Sequence, residues 1–217
     1  MTELILQLKM KKISFLIIFQ LFIFGDIYSE EYEYKDFIKD QVPLISSLNP
    51  NAVDIIEFSS FTCSHCADFH ENGLQDIKNS KLGTDINYYI IDFPLDYFAF
   101  YASRIANCIG SSRYPFTEVV YNQQKNWLKL YDSSNPDSQF EIEDTLLGYA
   151  EQMGNNRQDI LQCINEDKNK NIILTKQIEA QENFNIESTP TFIINGEKIK
   201  GNRPSVEFLK IIEKKLK

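Results

Sequence analysis

Residues 52–59 alternate as a strand yet carry apolar side chains on both faces, and such a strand fits only the middle of a covered sheet. Val53, Ile55 and Glu57 share one face, and Asp54, Ile56 and Phe58 share the other. The chain then passes through Cys63-Ser64-His65-Cys66 into a helical stretch that runs to about Lys81, with Gly83 as its stop signal. Residues 86–93, dense in β-branched and aromatic side chains, form a second strand. Strand, turn, helix, strand is the βαβ unit of a parallel sheet, so the fold class is α/β.

From about 95 to 184 the pattern is helical throughout. Phe98, Tyr101, Ile105, Cys108 and Ile109 recur at helical spacing and stop at Gly110. Phe116, Val119, Val120 and Trp127 predict a second helix with Pro115 near its start. Residues 132–138 form a polar loop. Ile142, Leu146 and Tyr149 mark a third helix, ended by Gly154. Ile160, Cys163 and Ile164 mark a fourth, and residues 172–180 belong to a longer fifth. Residues 191–194 then return to a strand, Asn195-Gly196 makes a two-residue hairpin turn, and 198–200 pair back. Pro204 heads a terminal amphipathic helix through Phe208, Ile211 and Leu216. The resulting division is 1–29 as a targeting segment, 30–94 and 185–217 as two parts of one α/β domain, and 95–184 as a helical insertion.

The targeting segment rests on charge and length. Lys9, Lys11 and Lys12 precede an apolar run over 13–24 broken only by Ser14 and Gln20. A helix of that run rises about 18 Å, short of a hydrocarbon core of roughly 30 Å. A cleaved signal peptide is therefore expected, with an uncleaved anchor as the alternative and Met10 as a possible start. The formal net charge of −9, with basic clusters only near the two ends, leaves no footprint for nucleic acid. The four cysteines, Cys63, Cys66, Cys108 and Cys163, all follow that segment, and an even count suits an oxidising compartment.

A cysteine where a strand gives way to a helix meets the unpaired N–H groups of the first turn, which favour its thiolate. His65 can add a donor or a positive charge. Together these effects lower a thiol from about 8.5 into the range of roughly 3.5 to 7.5. The thiolate is the form that attacks a disulfide, and two intervening residues let the second sulfur reach the first. Ser188-Thr189-Pro190-Thr191-Phe192 precedes the returning strand. There Pro190 is either an ordinary strand-start residue or a cis proline offering a backbone edge to an extended substrate.

The segments from Phe58 through Cys66 and from Thr189 through Gly196, with the helical block between them, resemble the bacterial disulfide-bond oxidase DsbA family over most of the chain from about Ala52. The resemblance implies a thioredoxin fold with an all-helical insertion, Cys63 as nucleophile, Cys66 as resolving cysteine, and a cis bond between Thr189 and Pro190. It places the family's buried acid on Glu57, as proton partner of Cys66. It implies a protein disulfide oxidoreductase that needs no cofactor, takes unfolded or newly exported thiol proteins as substrates, and is reoxidised by a membrane enzyme of DsbB type. A periplasmic monomer is expected, and the oxidase is favoured over the isomerases of this superfamily, which usually rely on an added dimerisation domain, because about 20 residues before the first strand are too few for one.

Three departures keep oxidase, isomerase and reductase open. Ser64-His65 replaces Pro-His; Tyr88 stands about where a lysine often neighbours the acid, which would leave the acid–base pair missing; and Thr189 precedes Pro190, as in some isomerases. Cys108 and Cys163, 55 residues apart (163 − 108), form either an added structural disulfide, as in some relatives, or two buried thiols. A bond there is worth about 4 kcal/mol by loop entropy. His70 completes a Cys63-x2-Cys66-x3-His70 spacing, but a fourth zinc ligand is lacking, so no metal is expected and His70 reads as a polar helix residue. A third function class, an envelope binding module with a merely structural cysteine pair, predicts ordinary thiol reactivity.

Overall fold

The computed structural model describes residues 34–217, so the expected signal peptide lies outside the described residues. Contacts divide the chain into two units, 1–41 and 42–217. The described part of the first is a single helical turn at 34–38 followed by a turn. The second unit holds everything that follows.

Its sheet has four strands in the order β2-β1-β3-β4: β1 is Val53–Ser59, β2 Ile86–Asp92, β3 Thr191–Ile194 and β4 Glu197–Lys200. Strand β1 runs parallel to β2, with Glu57 beside Ile90, and antiparallel to β3, with Glu57 beside Phe192. All but one of the side chains of β1 are buried, as its two-faced apolar pattern requires. Asn195 and Gly196 close the β3–β4 hairpin with positive φ angles of 42° and 83°, the backbone that Asn-Gly adopts readily. Strand β4 is a sheet edge: Ile199 points inward, while Glu197, Lys198 and Lys200 are exposed.

Between β1 and β2 lie helix α1 (Ser64–Asp68), a π-helical turn (Phe69–Gly73) and helix α2 (Leu74–Asn79). A Cβ on Gly73 would come within 2.7 Å of the Phe69 ring, so the turn needs glycine for this close approach. Between β2 and β3 come α3 (Tyr97–Cys108), α4 (Arg113–Asn122), α5 (Gln124–Leu128), α6 (Asp137–Glu151), α7 (Arg157–Ile164) and α8 (Asp167–Phe184). The single helix expected over Phe116–Trp127 is two, broken at Gln123. Asp96 caps α3 by accepting from Ala99 N–H at 2.9 Å, and Asn156 caps α7. Helix α9 (Ser205–Lys215) ends the chain. No helix among the described residues is long and apolar enough to cross a membrane.

Two cores flank the redox motif. Phe69, Leu74 and Ile77 meet one face of the sheet together with Phe208 and Ile212 of α9. Phe69, Phe192 and Phe208 form a mutually contacting trio with centroids 4.6 to 5.2 Å apart. The second core fills the helical insertion around Trp127, Phe116, Ile142 and Leu146, and reaches Phe61 and Cys66. The Cys63–Cys66 segment therefore sits where sheet and insertion meet.

Candidate active site

Cys63 occupies the N-cap position of α1 in extended conformation, so its sulfur faces the free N–H groups of the first turn. It is half-buried, while Cys66 is fully buried. The Cys63 thiol is lowered to about 5. The largest cause is a hydrogen bond from the Cys66 thiol, opposed by burial and reinforced by Thr189 and by the backbone N–H groups of Cys66 and His65. The exposed His65 thus acts through its main chain, where the sequence suggested a side-chain donor or charge. Burial pushes Cys66 in the opposite direction, well above the ordinary thiol value; donating to Cys63 and facing the Glu57 charge add to this. One sulfur is built to be a thiolate and the other to keep its proton.

Thr189 and Pro190 stand beside Cys63 with a cis peptide bond between them, and Cys63 Sγ lies 3.3 Å from the Thr189 carbonyl oxygen. The buried Thr189 hydroxyl has no other hydrogen-bond partner and is in reach to donate to a thiolate. Gln124, at the start of α5, reaches across from the insertion. Its buried amide donates to the carbonyls of Phe61 at 2.8 Å and Cys63 at 3.0 Å. The sequence marked neither this residue nor its role, since a polar residue between two helices carries no distinguishing pattern.

Beneath Cys66 lies a polar cluster in an otherwise apolar core. Glu57 is fully buried; its Oε1 accepts from Ser59 Oγ at 2.8 Å, and its Oε2 accepts from Tyr88 Oη and meets His70 Nε2 at 2.9 Å. Ser59 also bonds Tyr121 Oη at 2.6 Å. Two expectations need correction here. The acid is not without a basic partner: Tyr88 supplies a hydroxyl where a lysine was looked for, and the base comes from His70 instead. Nor is His70 an ordinary polar helix residue; it is 2% exposed and stacks on Tyr121 with centroids 4.3 Å apart. Its place on the inward stripe of Cys66, Phe69 and Leu74 was the signal that could have marked it.

Cys108 at the end of α3 and Cys163 in α7 are joined, and Asn169 Nδ2 donates to Cys108 Sγ at 2.9 Å. The bond staples the first and fifth helices of the insertion. Among the described residues no cluster of three or more His, Cys, Asp or Glu side chains could hold a metal ion.

Comparisons with known proteins agree with this geometry. A family model described as thioredoxin matches residues 49–214. The crystal structure of alpha-DsbA1 from Wolbachia pipientis is 26% identical, with a TM-score of 0.68 over 82% of this chain and 94% of that one. DsbA of Chlamydia trachomatis, 16% identical with a TM-score of 0.62 over 76% of this chain and 88% of that one, shares the fold. A Rickettsia felis protein provisionally named a protein-disulfide oxidoreductase is 26% identical over 168 residues, 74% of this chain and 55% of that protein. A Rickettsia bellii protein of the same provisional name is 25% identical over 77% of this chain and 65% of its own length. This chain therefore spans only a little over half to two thirds of those relatives. The matched region takes in every strand of the sheet, the redox pair and the whole helical insertion: the chain belongs to the thioredoxin family and has the thioredoxin fold with an all-helical insertion.

Proposed function

We propose that this protein is an exported thiol–disulfide oxidoreductase that introduces disulfide bonds into envelope proteins through Cys63 and Cys66. The observation that carries the reading is the asymmetry of the two thiols, with Cys63 lowered to about 5 and Cys66 raised. A low leaving-group pKa at Cys63 makes the Cys63–Cys66 bond easy to reduce, which is what an oxidant needs. In each cycle a substrate thiolate attacks Cys63 Sγ, the Cys63–Cys66 bond breaks, and Cys66 leaves with the electron pair and gains a proton. The substrate's second thiolate then attacks its own sulfur in the mixed disulfide and releases Cys63 as a thiolate. Substrate is oxidised by two electrons and the protein reduced by two.

The charge and apolar run within residues 1–29 support a periplasmic site of action, with newly exported thiol proteins as substrates and a membrane reoxidase of DsbB type restoring the bond. The division into 30–94, 95–184 and 185–217 and the monomeric state belong to the same reading. Equilibration with glutathione tests it, together with oxidation of a reduced, unfolded model substrate. A potential near that of strong oxidants, about −120 mV, is expected. A value near −270 mV would make the protein a reductase, and an intermediate one an isomerase.

A further inference from the structure

Thiol exchange at Cys63 does not by itself require the charged chain buried under Cys66. Glu57 and His70 are 0% and 1% exposed and meet at 2.9 Å. The other ring nitrogen of His70, Nδ1, faces Oε1 of Glu118 at 3.9 Å, and Glu118 on α4 is 23% exposed. The remaining neighbours of the imidazole are the Tyr121 ring on α4, the Tyr88 ring on β2 at 6.5 Å and Phe69 beside it. Gln75 steadies Glu118 with a hydrogen bond at 3.3 Å, and Lys78 and Tyr114 lie near its carboxylate. Two carboxylates, one from the sheet and one from the insertion, thus bracket a single histidine, and the row runs from the resolving cysteine to the protein surface.

We propose that His70 is a positioning residue of the redox centre: as an imidazolium bonded to Glu57 and facing Glu118 it holds the Glu57 carboxylate beneath Cys66, and the row of these three side chains is the path by which the Cys66 proton is exchanged with solvent. The assignment rests on the thiol–disulfide exchange reading above. A buried carboxylate without a counter-charge is costly, and no lysine or arginine among the described residues bonds to Glu57. When Cys66 leaves the Cys63–Cys66 bond, its sulfur takes a proton through Glu57 from His70, and solvent restores that proton through Glu118. In reoxidation Cys66 gives the proton back along the same row as its sulfur forms the new bond. Tyr88 and Tyr121, both pushed well above the ordinary tyrosine value by burial, stay protonated and serve as hydrogen-bond donors. Burial alone would lower His70, but the Glu57 and Glu118 charges outweigh it and hold it at about 9.

Two measurements test this. In wild-type protein, NMR titration of the two histidines, with His65→Gln to assign the spectrum, should show His70 charged at neutral pH with a midpoint near 9; a midpoint below 7 overturns the proposal. In stopped-flow experiments on a preformed Cys63–glutathione adduct, His70→Gln should slow resolution by Cys66 about tenfold at neutral pH. It should also move the pH–rate profile by about one unit. Glu118→Gln, a half-buried position that tolerates the isosteric amide, should slow the same step while the Cys63 alkylation midpoint stays put. Profiles of both variants that overlay wild type overturn the proposal. An ordinary Cys63 alkylation midpoint in the wild-type protein would instead sink the exchange reading on which it rests.

Discussion

Reducing the Cys63–Cys66 bond should give the fold a pH-dependent stability that the oxidised form lacks. The Cys63 thiol moves from its ordinary value of 9.0 to about 5 on folding. A folded value below the unfolded one means the gain is complete above pH 9, shrinks through the window between, and is gone once pH falls through 5. At pH 7 about two pH units of that window count, or up to about 2.7 kcal/mol at 1.36 kcal/mol each. The sulfur is only half-buried, and solvent screening reduces the expected gain to about 1–1.5 kcal/mol. Cys66 keeps its proton in the folded state over this range, and the contribution of His70, raised on folding in both redox forms, cancels in the difference. The assay is a pair of denaturant titrations, reduced and oxidised, at pH 7 and pH 4 with Cys108–Cys163 intact. Carboxylates titrate in both forms and cancel in the difference. The reduced form should lose about 1–1.5 kcal/mol more than the oxidised form on acidification. Equal losses would refute the thiolate argument and with it the proposed oxidase reading.

Cys66→Ser, first oxidised with glutathione disulfide to its Cys63–glutathione adduct, should pass to unfolded thiol substrates and hold them as mixed disulfides on non-reducing gels, whereas Cys63→Ser treated alike should hold none; the reverse pattern would exchange the two roles. Replacing both Cys108 and Cys163 with Ala should lower stability by 2–4 kcal/mol in denaturant melts and leave exchange at Cys63 largely intact. Loss of exchange at unchanged stability would identify that pair as a relay rather than a staple. Gln124→Leu strips the Phe61 and Cys63 carbonyls of their buried donor, so a stability loss of about 1–3 kcal/mol and slower exchange are expected. A variant as stable as wild type would show that the insertion does not hold the active-site loop.

How much of this was legible in the sequence depends on the range of the interaction. The phase of β1 placed Glu57 on the face of Val53 and Ile55, because strand alternation is local and rigid. The Asn195-Gly196 hairpin and the stop at Gly110 were legible for the same reason: positive φ is a one-residue property. The break at Gln123 was hidden, because the apolar spacing continues through it. The cluster around Glu57 was legible only at Tyr88, which the resemblance set beside the acid; its assembly was not. His70, Tyr88 and Tyr121 lie on a π-turn, a strand and a helix that only the tertiary fold brings together, and each alone looks like an ordinary polar or aromatic residue. Glu118 was invisible for a further reason, since an acidic residue on an amphipathic helix is usually solvated.

The charged edge of β4 carries a different lesson. If the proposed function holds and substrates arrive unfolded, they are chains that seek a strand to pair with, and an open sheet edge would seed co-aggregation. Here the outer strand shows Glu197, Lys198 and Lys200 to solvent. Lys200 is tied to Glu187 at 3.0 Å, and Lys198 donates to the Phe184 carbonyl at 3.0 Å. Those charges disfavour pairing at this flank of the sheet, and on the proposed function they steer an extended substrate toward the backbone beside Cys63 instead.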